Sequence, residues 1–200
     1  MFPYKKAIKA VTGGLILSLL LSIGGLYGQC EGVREQVVRL HILAHSDSTE
    51  DQTLKLQVRD VIVAAADGWG DTLSPAAALA QAEYRLPDLQ ALAQQTVWDA
   101  GYDYPVTVEL TRMYFTTRQY DTVTLPAGMY EAVRVVIGDG KGQNWWCVLY
   151  PPLCLGAATD RDLAQVMGTG QAALMTGGQQ YILRFKVVEW FEMLLQPFRK

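Results

Sequence analysis

The run Arg39 to Asp60, RLHILAHSDSTEDQTLKLQVRD, packs a strand, a polar turn and a helix start into 22 residues. Val37 to Ala44 alternates apolar and polar side chains and is rich in Val, Ile and Leu, the pattern of a half-buried strand. Ser46-Asp47-Ser48 ends it. Ser48-x-x-Asp51 and Thr49-x-x-Gln52 are overlapping capping boxes, each able to satisfy orphan amides at a helix N-terminus. Asp47, Glu50 and Asp51 complement the positive end of the helix dipole.

The rest of the chain extends this into an α+β reading. Thr49 to Asp67 reads as a helix whose buried face is Leu54, Val58, Val61 and Ala65, ended by Gly68-Trp69-Gly70. Ser74-Pro75 starts a second helix, with Ser as cap and Pro at the first helical position. It continues to about Asp99, with Pro87 as a kink or break. From Tyr104 the period changes to two: Val106, Val108 and Leu110 face one way, Thr107, Glu109 and Thr111 the other. Tyr130 to Ile137 and Trp145 to Tyr150 are two more strands. Gly138-Asp139-Gly140-Lys141-Gly142 between them lacks the phosphate-loop spacing and leads into a strand, so it reads as a hairpin turn. The expected fold is a two-layer α+β domain, one mixed or antiparallel sheet of about four strands with helices on one face.

Charge and hydropathy define the ends. Ala10 to Tyr27 is an uncharged, almost unbroken apolar run preceded by Lys5, Lys6 and Lys9. That is the layout of an export signal, and its length also suits a short membrane anchor. The lysines should stay in the cytoplasm and the domain lie outside. Taking those three charges from the formal −3 leaves about −6 for the remainder, with no basic stripe for nucleic acid. The expected divisions are 1–28, a signal peptide or signal anchor; 29–155, an extracytoplasmic domain; 156–180, a flexible connector; and 181–200, an amphipathic helix. On a wheel, Leu183, Val187, Val188, Trp190, Phe191, Leu194 and Leu195 share an arc. Val187, Trp190, Phe191 and Leu194 either dock on the sheet or meet a membrane or partner.

Cys147 and Cys154 flank Pro151-Pro152, which turn the chain. Outside the cytoplasm a disulfide is the expected state, and closing so short a loop contributes about 2–3 kcal/mol. The alternative is two buried thiols packing as small hydrophobes. Cys30 is left over.

Three segments resemble one family, stage II sporulation protein R of endospore-forming bacteria. They are the RLHILAHSDS opening, where the family pattern has Asn at the position of His45; Tyr104 to Phe115 with Leu125 to Cys154; and LRFKVVEW, Leu183 to Trp190. The resemblance implies an exported, non-enzymatic signal that needs no cofactor. It would leave the forespore for the intermembrane space and switch on a membrane-embedded aspartic protease of the mother cell. That protease processes a pro-sigma factor.

The residues themselves offer little catalytic chemistry. His41 and His45 are the two histidines; four apart on a strand, they stand about 13 Å from each other, too far to share a metal. His45 folding back toward Asp47 would be the one metal alternative. H-E-x-x-H, G-x-S-x-G and C-x-x-C are absent from the sequence. The runner-up function is an extracytoplasmic hydrolase or thiol enzyme pairing Cys147 with His41; a third is a membrane-anchored structural module. Arg39, His41, His45 and Asp47 are candidate partner contacts, against the plainer reading of a solvated strand face. Trp145 and Trp146 point to opposite faces of their strand, so at most one is core and the other is either under a helix or a candidate anchor.

Overall fold

The computed structural model describes residues 3–66, 74–120, 123–151, 169–176, 185–186 and 189–190. The elements run α1 (Pro3–Arg34), β1 (Val38–Leu43), α2 (Thr49–Ala65), α3 (Pro75–Asp99), β2 (Val106–Phe115), β3 (Arg118–Tyr120), β4 (Val123–Leu125), β5 (Gly128–Ile137), β6 (Asn144–Tyr150) and α4 (Thr169–Thr176). The fold class is α+β: a mixed four-stranded sheet in the order β2-β5-β1-β6, with β3 and β4 forming a separate ribbon.

β1 lies inside the sheet, between β5 and β6. It runs parallel to β5 and antiparallel to β6. Leu40 and Ile42 join Val106, Val108, Val133, Val135, Ile137, Cys147 and Leu149 on the face that α2 and α3 cover. The opposite face carries Phe115, Tyr130, Ala132 and Val148 and has its own apolar layer: Cys30 and Val33 of α1, Val123 and Leu125 of β4, Met175 of α4, and Phe185.

The connection from β5 to β6 is not a hairpin. The two strands are separated by β1, so Gly138 to Gln143 steps over the end of that strand. The loop is pinned to what it crosses: Lys141 N–H donates to His45 O at 3.2 Å and Gly142 N–H to Ala44 O at 3.0 Å. The glycines serve this crossing. Gly138 has φ +57, and a Cβ there would collide with the His45 ring.

Ser48 and Ser74 cap their helices as the spacing implies, but the reciprocal halves of the capping boxes do not form: Ser48 N–H donates to Ser46 Oγ at 3.2 Å and Gln52 Nε2–H to Ser46 O at 2.8 Å. Asp51 N–H donates to Ser48 Oγ at 3.1 Å, and Ala77 N–H to Ser74 Oγ at 3.2 Å. The buried stripe of α2 is Leu54, Val58 and Ile62, with Val61 and Ala65 only half buried. The helix is rolled toward the crossing loop, where the buried Lys55 donates to Gln143 O at 3.1 Å. Helix α3 runs through Pro87 unbroken. Pro87 and Glu83, whose carbonyl loses its partner, both face water.

Helix α1 continues past the expected boundary at residue 28. Its apolar stretch is exposed, with Ile8, Val11, Leu15, Leu17, Leu20 and Leu21 all open. Its last turns are core: Cys30 and Val33 are fully buried, and Arg34 donates to Ala127 O and pairs with Glu31 at 2.7 Å. Gly128 accommodates that guanidinium, since a Cβ would run into it. Within the expected connector at 156–180, Thr169–Thr176 is α4, and the rest lies outside the described residues.

Candidate functional site

Arg39 and His41 do not form an open contact surface. Alternation puts both on the face opposite α2 and α3, and the second apolar layer covers it. Arg39 is 0% exposed and His41 4%. The Arg39 guanidinium sits over Phe115 at 4.2 Å, Tyr130 at 5.0 Å and Tyr120 at 5.4 Å. Its Nε–H donates to Cys147 O at 3.2 Å and its Nη2 to the Tyr120 hydroxyl at 2.5 Å. Nη1 is buried without a partner. Burial pulls the guanidinium below its usual pKa, against the opposing pull of Tyr120 and Tyr130.

His41 stacks on Trp146, with ring centroids 3.9 Å apart and planes 3° apart. Its Nε2–H donates to Asn144 Oδ1 at 2.8 Å. Burial lowers the imidazole pKa, so Nδ1 is a bare acceptor, and it too is buried without a partner.

His45 and Asp47 belong to the crossing loop. His45 stacks on Tyr104 at 4.1 Å and its Nδ1 accepts from Asp139 N–H at 3.0 Å. Asp47 Oδ1 accepts from Gln143 N–H at 2.7 Å. Both side chains are taken by backbone donors of the clip. Among the described residues, no three His, Cys, Asp or Glu side chains are placed to hold a metal ion.

Trp145 and Trp146 do point to opposite faces, but both are half buried. Trp145 packs on the helix-covered core beneath Arg59, and Trp146 on the second layer. Both faces of the sheet are covered, so each ring packs on an apolar layer. The Cys147–His41 pair is not assembled either. Cys147 aligns with Leu40 toward α2 and α3, while His41 aligns with Trp146 on the other side. The sheet separates thiol from imidazole. Cys154, Val187, Phe191 and Leu194 lie outside the described residues. Trp190 is 61% exposed. The Arg39 aromatic box was hidden from sequence reasoning. Its signal was Tyr120 and Tyr130, whose partners are set only by long-range packing.

The chain is an α+β domain behind an apolar N-terminal helix, an arrangement compatible with a signal or membrane anchor. Ala7–Arg34 is long and apolar enough to cross a membrane. The family model for stage II sporulation protein R matches residues 34–160, and the chain belongs to that family. Over 123 residues it is 39% identical to stage II sporulation protein R of Bacillus subtilis (strain 168), covering 61% of this chain and 55% of that protein. The chain thus spans about half the length of the curated relative it matches. No solved structure matches it.

Proposed function

We propose that this chain is an exported sporulation signal, delivered from the forespore to the intermembrane space, that activates a membrane-embedded aspartic protease processing a pro-sigma factor. The observation that carries the reading is α1. Its exposed apolar residues need lipid or a translocon, and its last turns are built into the domain core. The lysines ahead of it favour a cytoplasmic N-terminus, which sends the domain outward. Activation of the protease rests on family membership. Export makes a Cys147–Cys154 bridge the expected state.

The test is reconstitution. The full chain in one vesicle population, domain outward, is mixed with vesicles carrying the candidate protease and its pro-sigma substrate. Cleavage that depends on the added chain supports the reading; cleavage at the same rate without it overturns it.

A further inference from the structure

We propose that the face of β1 carrying Arg39 and His41 is a closed recognition site for a peptide carboxylate, with β3 as its lid. A fully buried guanidinium ordinarily lies against a carboxylate, because an uncompensated charge away from water costs several kcal/mol. Among the described residues, Arg39 has π faces, one carbonyl and one phenol around it, and Nη1 lacks an acceptor. One free guanidinium edge between aromatic walls suits a planar monoanion. A phosphate would call for more free positive charge than this face adds: Arg118 lies over Trp146 at 5.6 Å, and Arg134, opposite His41, is paired with Glu109 at 2.8 Å.

His41 narrows the ligand further. Its free atom is an acceptor, so it calls for an N–H and not for a second anionic oxygen. Residues 39 and 41 are two apart on a strand, about 7 Å along one face. A peptide presents a carboxylate and a backbone N–H over that span, whether the carboxylate is a Glu or Asp side chain or a chain terminus.

Access runs through β3. It pairs with β4 and with no strand of the main sheet. Val123, Thr124 and Leu125 of β4 are buried, whereas Arg118 and Gln119 of β3 are exposed. The Tyr120 hydroxyl latches β3 to Arg39. Of the three rings around the Arg39 guanidinium, Phe115 and Tyr130 belong to the main sheet and Tyr120 to β3, so a swing of Tyr120 would open one side of Arg39 while β4 stays in the core.

The test uses the full chain in detergent micelles without the protease, so it is read separately from the activation reading. Three labelled acetylated pentapeptides serve as probes in anisotropy titrations: one central Glu with an amidated terminus, the same with Gln, and the Gln peptide with a free C-terminal carboxylate. Binding of the first identifies a side-chain carboxylate and binding of the third a terminus; the Gln amide should not bind. Arg39→Met should abolish binding and leave the unfolding midpoint unchanged or raised. Tyr120→Phe, which frees the latch, should tighten binding by about 2–10-fold. Equal binding of all three probes, or of none, overturns the proposal. So does Tyr120→Phe with unchanged affinity, which also decides the matter if Arg39→Met fails to fold.

Discussion

His41 lies flat on Trp146, 3.9 Å between centroids, with its Nε2–H fixed on Asn144. The imidazole is held neutral by burial, below its ordinary pKa. An unfolded chain therefore binds a proton on His41 at a pH where the native chain does not, and stability rises with pH through that window. The contribution is fully present above about pH 6.5 and is lost as pH falls below it toward the folded value. Urea midpoints measured between pH 7.5 and 5 should fall, and His41→Gln should flatten that fall. A slope equal in both proteins would show that another group carries it.

Gly138→Ala tests the crossing loop. Its φ of +57 costs an L-residue about 1–2 kcal/mol, and the new Cβ must also displace His45. The expected loss is about 2–4 kcal/mol. In a His45→Ala background it should drop to about 1–2 kcal/mol, because only the backbone term remains. Denaturant unfolding of the four proteins measures the coupling. Equal losses in both backgrounds would mean that the ring and the loop are independent.

That loop shows where local pattern stops being informative. β2, β5 and β6 were legible because period-two alternation is a local property, whereas three residues each in β3 and β4 are too few to show it. The capped starts of α2 and α3 were legible for the same reason. A glycine cluster between two strands says only that the chain turns. That β1 lies between β5 and β6 depends on pairing across about a hundred residues, as between Arg39 and Val148. Arg39 and His41 read as a wet face because their neighbours alternate. They are buried because α1, β4 and α4 cover that side, and nothing near residue 39 encodes them.

Gln90 and Gln94 of α3 guard the edge strand β2. Gln94 Oε1 accepts from Val106 N–H at 2.8 Å, and Gln90 Oε1 from Val108 N–H at 3.2 Å. They occupy donors that an edge strand otherwise offers to other chains. Either residue changed to Ala should lose about 1 kcal/mol of stability. The double variant should in addition self-associate with rising concentration, read by light scattering. A double variant as monodisperse as the parent at all concentrations would rule out the guarding role.

The bridge proposed between Cys147 and Cys154 has a direct readout. Exported protein, digested without reduction after blocking free thiols, should yield the two cysteines in one linked peptide mass. Cys30 should be alkylated only after unfolding, since it is a buried thiol. Alkylated Cys147 in native material would remove the bridge.

The join between α1 and the domain predicts where the chain can be shortened. Removing residues 1–28 takes away the exposed apolar stretch and, of the second layer, only the partly buried Leu26 and Tyr27, and should leave the domain folded. Removing residues 1–34 takes away Cys30, Val33 and Arg34, and leaves the carbonyl of Ala127 without its donor. Loss of a buried Val is worth about 1.5–3 kcal/mol, and a buried acceptor stripped of its donor costs about 1–3 kcal/mol. With the smaller share of Cys30, the sum is on the order of 5 kcal/mol, comparable to the whole stability of many domains. The shorter protein should therefore be largely unfolded at 25 °C, while the one beginning at Gln29 unfolds cooperatively. Circular dichroism melts of the two truncations decide it. Equal midpoints would show that the end of α1 only rests on the domain, and that the boundary read at residue 28 could be moved to 34.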